Sequence, residues 1–251
     1  RPYGLVLVTG PTGSGKSTTL YATLGDVAKP EINIITVEDP VEFRMRGINQ
    51  VQVNNKAGMT FAAALRSILR ADPDVVLIGE IRDQETANIA IEASLTGHLV
   101  LSTLHTNDAP SAVTRLTEMG VEPFLLSSSL AAVMAQRLAR RLCKKCKRQD
   151  TATEAELRTL GVPHMPDTPL PTIWRPVGCR ECANTGYSGR VAIQQVMGVD
   201  STMEDLIARG ATSIDIDKAA KEQGMTTLRK DGWQKALQGI TSVEEVLRVT
   251  V

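Results

Sequence analysis

A glycine-rich loop that directly follows a short apolar strand constrains this chain more than any other feature. Gly4–Thr9 is a run of apolar and β-branched residues, and residues 10–17 then match the pattern G-x-x-x-x-G-K-[ST] at every fixed position. Gly13 and Gly15 allow the backbone to curl so that its N–H groups point inward, where a polyphosphate can sit. Residues 18–28 are predicted to form a helix whose positive N-terminal end faces the same anion. The sequence therefore predicts a nucleotide site at the end of a buried first strand.

The side chains of the loop complete this prediction. Lys16 supplies a positive charge for the outer phosphates, and the hydroxyl of Ser17 is the expected Mg²⁺ ligand. A glycine run can also be a flexible turn, but that alternative needs neither the lysine nor the β-branched strand before it. The predicted nucleotide-binding residues are Gly10, Thr12, Gly13, Ser14, Gly15, Lys16, Ser17 and Thr18.

The overall charge and composition argue against several classes of protein. Lys+Arg and Asp+Glu are both 28, so no net field attracts nucleic acid or anionic lipid. Aromatic residues make up only 3% of the chain, which argues against a base-stacking surface for single strands. The sequence contains neither an apolar stretch long enough to span a bilayer nor a signal peptide. We expect no nucleic-acid partner and no direct membrane insertion.

Apolar runs of strand length alternate with helical patterns, which is typical of a parallel sheet covered on both faces. The spacing predicts strands over 4–9, 32–37, 75–78 and 98–104, and helices over 18–28, 59–70, 84–94, 108–120 and 122–142. Helical patterns return at 203–209, 216–223, 227–238 and 243–249. These patterns predict an α/β core (1–142), a cysteine-rich subdomain (143–190) and a C-terminal helical region packed on the core (191–251).

Two predicted strands end in acidic residues. The strand over 75–78 runs into Glu80, and the strand over 32–37 runs into the segment 38–42, which ends at Glu42. In a parallel sheet these carboxylates emerge at the carboxyl edge, beside the phosphate loop, where they can hold a Mg²⁺ shell or orient an attacking water. The alternative is that both are solvated acidic turns.

Two histidines and two arginines are further candidates. His98 and His105 are seven residues apart on one predicted strand, which places them about 23 Å apart and on opposite sides. His105 lies at the carboxyl end, where it could sense a γ-phosphate, whereas His98 is equally consistent with a core or interface residue. Arg66 and Arg70 share one face of a predicted helix and could be an arginine finger, an inter-subunit ion pair or a solvated surface.

The four cysteines form two C-x-x-C pairs, Cys143 with Cys146 and Cys179 with Cys182. Positions 147 to 178 separate the pairs, which is 32 residues. Two such pairs make a closed, structural thiolate site for Zn²⁺. Two disulfides are the alternative, but a nucleotide-using chain without a signal peptide belongs in a reducing compartment.

Taken together, these segments resemble the secretion ATPases of type II secretion and type IV pilus systems, the GspE/PilB group, over essentially the whole chain. Besides the phosphate loop, residues 35–42 match the family's Asp box, 65–82 its Walker B region and 96–106 its His box. The four cysteines match the assembly branch rather than the retraction ATPases.

The resemblance implies a cytoplasmic, RecA-like, Mg²⁺-dependent ATPase that works as a homo-hexamer at the inner membrane. Glu42 would be the catalytic glutamate of the Asp box, Glu80 the Walker B acid, and His98 and His105 the His-box pair, with Arg66 and Arg70 at nucleotide or subunit contacts. ATP, Mg²⁺ and Zn²⁺ are the implied cofactors. Partners would be inner-membrane platform and assembly proteins, bound through N-terminal domains that precede this region in the family.

Three functions fit the sequence. The first is a motor that hydrolyses ATP to assemble a type II secretion pseudopilus or a type IV pilus. The second is a RecA-like nucleic-acid motor, for which the basic stretch 137–148 beside the cysteines is the main support. The third is a nucleotide-gated scaffold without useful turnover. The residues alone leave the choice between pilus and secretion open.

Overall fold

A seven-stranded, mostly parallel sheet is the centre of the fold in a computed structural model, which describes residues 3–165 and 167–250. Its strands are β1 (Gly4–Thr9), β2 (Ile34–Glu38), β3 (Asn49–Gln52), β4 (Val75–Ile78), β5 (Leu99–Leu104), β6 (Leu130–Leu142) and β9 (Tyr187–Gly198). They lie in the order β3-β2-β4-β5-β1-β6-β9. Strands β7 (Arg148–Thr151) and β8 (Thr172–Arg175) form a separate antiparallel pair.

Ten α-helices are found in the described residues: α1 (Lys16–Val27), α2 (Phe61–Ile68), α3 (Gln84–Leu95), α4 (Pro110–Glu118), α5 (Pro123–Ser129), α6 (Glu154–Leu160), α7 (Ser201–Ala208), α8 (Ser213–Glu222), α9 (Leu228–Leu237) and α10 (Val243–Val249). Several begin at side-chain caps that the sequence signals. Asp83 accepts from the Thr86 N–H at the start of α3, and Thr153 with Glu156 forms a capping box at α6. The expected α/β class, cysteine cluster and C-terminal helices are confirmed.

The chain divides into two compact units, each with its own apolar core. Unit 1 consists of residues 1–12, 16–135 and 196–225, and unit 2 consists of residues 13–15, 136–195 and 226–251. In unit 1, buried aliphatic side chains of β1, β4 and β5 pack beneath the helices that flank the sheet. In unit 2, the core contains Trp233 together with residues of α6, α10 and β8. The predicted division of the chain into three parts, with boundaries at residues 142 and 190, remains a prediction.

The predicted helix over 122–142 is wrong. The chain forms only the short helix α5 and then the thirteen-residue strand β6, which pairs in parallel with β1 from Leu5↔Leu130 to Thr9↔Ala135. The segment is rich in Ala, Leu, Gln and Arg, all good helix formers, so local propensity favours a helix. Pairing in the sheet overrides this preference, because β6 lies between β1 and β9 and its backbone groups can bond to both neighbours.

Strands β3, β6, β7, β8 and β9 and helix α6 are the elements that the sequence patterns do not predict. Strand β9 extends over residues 191–198, which fall within the region 191–251 that we assigned to the C-terminal helices. Elsewhere the predicted elements are found with their ends shifted by at most two or three residues. Within the part of the chain that the structure describes, every helix is too short or too polar to cross a bilayer.

A buried carboxylate ties α10 to β6 in unit 2. Glu245 is 1% exposed, and its oxygens accept from the Arg140 N–H at 2.8 Å and from the Arg140 guanidinium at 2.7 Å. Arg248 donates two further hydrogen bonds, at 2.8 and 2.7 Å. Burial works against the charged form, yet the hydrogen bonds from Arg248 and Arg140 lower the pKa of Glu245 to about 2.

The substitution Glu245→Gln is therefore expected to destabilise the chain by on the order of 3 kcal/mol at pH 7. Because the pKa of Glu245 is lowered on folding, its stabilisation is complete above about pH 5 and is lost as the pH falls toward 2. In urea denaturation, the difference between wild type and variant should shrink over this range. The exposed Glu222 serves as control, since Glu222→Gln should change stability little at any pH. A constant difference from pH 7 to pH 3 would contradict the assignment.

Candidate active site

The carboxyl edge of the sheet collects the predicted functional residues. Strands β1, β5, β4 and β2 are neighbours and run parallel, with β5 lying between β1 and β4. The register Thr9↔Leu104 and Val37↔Ile78 places their carboxyl ends at one edge. The phosphate loop, His105 and Glu80 follow these strands directly, and Glu38 is the last residue of β2.

Hydroxyl groups hold the strand ends together at this edge. The Thr9 hydroxyl donates to the Leu104 carbonyl at 3.1 Å and accepts from the Thr106 N–H at 2.8 Å. On the other side of β5, Ser102 Oγ donates to the Ile78 carbonyl at 2.8 Å, and Thr103 Oγ1 donates to the Gly79 carbonyl at 2.7 Å. Together with backbone bonds from the Gly10 N–H to the Leu104 carbonyl and from the Ile81 N–H to the Thr103 carbonyl, they fix the loops after β1, β4 and β5 relative to one another.

The phosphate loop has the conformation that its glycines predict. Gly10, Gly13 and Gly15 have φ values of 148°, 80° and 87°, in the region where side chains are disfavoured. A side chain at position 13 would meet no neighbouring atom, so glycine is favoured there only because the backbone angle is left-handed. Lys16 Nζ donates to the carbonyls of Gly10 at 2.9 Å and Pro11 at 3.1 Å, so the lysine is folded back over the loop. Helix α1 begins at this lysine.

Glu80 and His105 are brought together by β4 and β5. Glu80 is mostly buried, with a side chain 12% exposed, and one carboxylate oxygen lies 2.5 Å from the Arg82 guanidinium. The other oxygen lies 3.6 Å from His105 Nε2, and the imidazole is half exposed. The carboxylate is thus paired with Arg82 on one side and lies beside the imidazole on the other, and a carboxylate so placed can position a water molecule.

The acid at the end of β2 is buried and fully partnered. Glu38 is 4% exposed and accepts from the hydroxyls of Tyr21 and Thr36 and, at 3.2 Å, from the Gln50 amide. Burial, together with the hydrogen bond to Glu38, raises the pKa of Tyr21 to about 12. Glu38 therefore serves as an internal anchor, while Glu42, four residues later, is exposed.

Tyr21 is a residue beside the candidate site that the sequence patterns miss. It lies on α1, just after the phosphate loop, and its oxygen also accepts from the Glu42 N–H at 3.3 Å. Its ring packs edge-on against Phe43 at 4.5 Å between centroids. Tyr21 thus connects the helix behind the loop to the turn that carries Glu42. An aromatic residue on an otherwise aliphatic helix face is the only sequence signal for this contact.

The remaining candidates are His98, Arg66 and Arg70. His98 precedes β5 and His105 follows it, so one chain does not bring the two together. His98 Nδ1 instead lies 2.8 Å from the Ala93 carbonyl at the end of α3. Arg66 on α2 forms an exposed ion pair with Glu85 of α3 at 2.5 Å, and Arg70 is exposed just beyond α2.

The four cysteine sulfurs form a compact cluster in unit 2. All four atoms lie within 4.8 Å of one another, and three pairs are separated by 3.7 to 3.9 Å. A disulfide would require about 2.05 Å. A tetrahedron of sulfurs about 2.3 Å from a metal has edges of about 3.8 Å, which matches the observed spacing. The cluster therefore fits a tetrahedral metal ion, and the disulfide alternative is excluded by distance.

The backbone around the cluster favours thiolates. Burial opposes the charge on Cys182, but the N–H groups of Cys179 and Gly186 donate to its sulfur at 3.2 Å and lower its pKa to about 6. The Gly178 N–H likewise donates to Cys146 at 3.4 Å, although burial raises the pKa of Cys146 to about 11. A bound cation would stabilise the thiolate form of all four residues.

Comparison with known proteins gives a consistent result. The family model described as "Type II/IV secretion system protein" matches residues 1–248. The type II secretion system protein E of Klebsiella pneumoniae is 56% identical over 250 residues, covering 100% of this chain and 49% of that protein. The type IV pilus assembly ATPase PilB of Thermus thermophilus is 52% identical over 251 residues, covering 100% of this chain and 28% of that protein.

A solved structure supports the same relationship. The crystal structure of the pilus retraction motor PilT with bound ADP superposes with a TM-score of 0.73 at 28% identity, covering 98% of this chain and 61% of that one. The chain thus spans half or less of the length of the curated relatives named here.

Substituting Tyr21→Phe removes only the hydroxyl that joins Glu38 to the Glu42 backbone. We expect a loss of about 1–3 kcal/mol in unfolding free energy at pH 7, because a buried carboxylate loses a donor. Since the pKa of Tyr21 is raised on folding, the hydroxyl stabilises the fold fully below pH 10, and its contribution is lost as the pH rises toward 12. Tyr3, which is 50% exposed, provides the control Tyr3→Phe, expected to be neutral. Equal stability of both variants in urea denaturation would contradict the role of Tyr21.

Proposed function

Because this chain belongs to the type II/IV secretion system protein family, we propose that it is an Mg²⁺-dependent ATPase whose ATP hydrolysis drives assembly of a type II secretion pseudopilus or a type IV pilus. The observation that carries this proposal is the position of Glu80, between Arg82 and His105 and at the same sheet edge as the phosphate loop. The ADP bound to the similar motor PilT is consistent with it.

In this proposal the phosphates of ATP bind to the N–H groups of the loop 10–17. The left-handed glycines leave the loop open, and Lys16 exchanges its bonds to two loop carbonyls for bonds to phosphate oxygens. Ser17 and Thr18 are exposed at the start of α1, where Ser17 supplies the expected Mg²⁺ ligand. Mg²⁺, when bound, neutralises the charge that develops on the transferred phosphoryl group.

The acids and His105 then have separate roles. Glu80 orients and polarises the attacking water, since its carboxylate is held by Arg82 and faces the end of β5. His105 lies next to Glu80 and contacts the γ-phosphate side of the site, reporting its presence. Glu42, on the turn held by Tyr21, adds a second carboxylate for the water or the Mg²⁺ shell.

We assign His98, Arg66 and Arg70 to contacts between copies of the chain. His98 lies at the opposite end of β5 from His105, and the two arginines are exposed. In a homo-hexamer such arginines can reach a neighbour's nucleotide and stabilise the developing charge. The proposed partners are assembly proteins at the inner membrane. The proposed location is the cytoplasm, peripheral to that membrane.

Zn²⁺ is the proposed ion of the tetracysteine cluster. Four thiolates at tetrahedral spacing make a closed site with no open position for substrate, which indicates a structural role. The ion would hold the 143–146 and 179–182 turns together.

The choice between secretion and pilus assembly is not decided by similarity, since the relatives of the two kinds are 56% and 52% identical. Membership of a secretion family favours either over a nucleic-acid motor. We propose both pathways as candidates for this chain.

The substitution Glu80→Gln should retain MgATP binding and lower kcat by about 10²- to 10⁴-fold, because the water loses its general base while the loop is unchanged. Lys16→Ala should instead abolish measurable binding. Binding by calorimetry and phosphate release by a coupled assay distinguish the two effects.

Glu118 is the matched control, since it is an exposed glutamate on α4 that pairs only loosely with Arg115 at 3.6 Å. Glu118→Gln should hydrolyse ATP like the wild type. Normal turnover by Glu80→Gln would refute the proposed site.

The substitution Cys179→Ser should release the metal and lower the melting temperature of unit 2 without abolishing ATP binding, because one thiolate of four is lost. Elemental analysis should find one zinc per wild-type chain and less in the variant. Glu181→Gln, in the same turn, leaves the sulfurs intact and should keep its zinc. Equal metal content in wild type and Cys179→Ser would exclude the four-thiolate site.

A further inference from the structure

The middle of the phosphate loop is held by a residue of β6. Gln136 is 1% exposed, and its Nε2 donates to the Ser14 carbonyl at 2.8 Å. Gly13–Gly15 accordingly belongs to the same compact unit as residues 136–195. Ser14 is itself buried, and its hydroxyl has no partner among residues 3–165 and 167–250. The Gln136 amide therefore provides a specific side-chain hydrogen bond that fixes this part of the loop.

Gly15 permits this close approach. A Cβ atom at Gly15 would lie 3.0 Å from Gln136 Nε2 and 3.4 Å from Leu138 Cδ1, which is tighter than ordinary contact. Position 15 therefore favours glycine for two physical reasons: its backbone is left-handed, and β6 leaves little room for a side chain. The carbonyl of Ser14 is turned toward Gln136 of β6.

A second glutamine bonds to the oxygen of the first. Gln194 Nε2, on β9, donates to Gln136 Oε1 at 3.1 Å. A glutamine amide has one oxygen that accepts and one nitrogen that donates. Because the Ser14 carbonyl can only accept, the Gln136 NH₂ group faces it, and the Gln136 oxygen is left to accept from Gln194. A reversed amide would place two acceptors against each other.

Gln194 is anchored in turn to α9. Its backbone N–H donates to Asp231 Oδ2 at 2.8 Å. The same carboxylate pairs with the Lys235 ammonium one turn further along the helix. Both side chains are only 20% exposed, so this ion pair is less screened than one on the open surface.

We propose that Gln136 is a positioning residue of the phosphate loop, and that Gln194 and Asp231 hold it in place so that α9 contributes to nucleotide affinity. This inference rests on the proposed ATPase function. A loop already held in its binding conformation loses less entropy when nucleotide binds, so removing the support weakens binding. Linkage requires the converse as well: bound nucleotide stabilises the Gln136–Gln194–Asp231 chain of hydrogen bonds.

The test compares four variants of the full chain for MgATP affinity by calorimetry and for KM and kcat by phosphate release. Gln136→Ala should weaken MgATP binding about tenfold, the equivalent of one buried hydrogen bond. Gln194→Ala and Asp231→Asn should give smaller increases in Kd in that order, since each acts through the next residue. Asp217→Asn is the matched control, because Asp217 and Lys221 form the same i,i+4 ion pair on α8, in unit 1.

The inference requires KM to rise with Kd in the first three variants while kcat stays near the wild-type value, because none of them touches Glu80. A merely structural role would lower kcat through loss of folded protein and leave KM unchanged. Should Gln136→Ala not fold, Gln194→Ala carries the test, because it leaves the Gln136 side chain in place. Wild-type Kd in Gln194→Ala and Asp231→Asn would overturn the inference while leaving the proposed ATPase intact. A wild-type chain that does not bind MgATP would overturn both.

Discussion

The parallel alignment of β1, β5 and β4 is the constraint on which the rest of the structure depends. Because the three strands run in one direction and lie side by side, the loop after β1, His105 after β5 and Glu80 after β4 emerge at a single edge. The strand that separates β1 from β4 sets the spacing between the phosphate loop and the acid. Strands are about 4.8 Å apart, so one intervening strand leaves roughly 10 Å between them. That gap is wide enough for a terminal phosphate and a water molecule.

Short polar contacts at the strand ends convert this alignment into a fixed site. Thr9, Ser102 and Thr103 bond backbone groups of the neighbouring strands where ladder pairing stops. The charged groups have internal partners as well: Lys16 bonds to loop carbonyls, and Glu80 is paired with Arg82. In the proposed function this site is already built before nucleotide binds, and Lys16 is the group that exchanges partners. Electrostatic preorganisation of this kind is the usual source of catalytic stabilisation in phosphoryl transfer.

Sequence reasoning recovers the elements whose signals are local. The strand β4 and the helix α10 are predicted to the residue, because apolar runs and caps mark them. The cysteine cluster is also predicted, since C-x-x-C pairs have few other uses in such a chain. Strand β6 is missed because its Ala- and Leu-rich sequence prefers a helix, and pairing with β1 and β9, both far away in sequence, makes it a strand. Tyr21 and Gln136 are missed for the same reason. Their partners, Glu38 and Ser14, are 17 and 122 residues away, so no spacing rule relates them.

The most direct test of this account is a crystal structure of the chain with Mg²⁺ and a non-hydrolysable ATP analogue. The account predicts the triphosphate on the loop 10–17, with Lys16 Nζ moved from the carbonyls of Gly10 and Pro11 onto phosphate oxygens. Glu80 should face the terminal phosphate, with His105 beside it. An analogue bound elsewhere, with Lys16 still on its carbonyls and Glu80 directed away from the loop, would contradict the account.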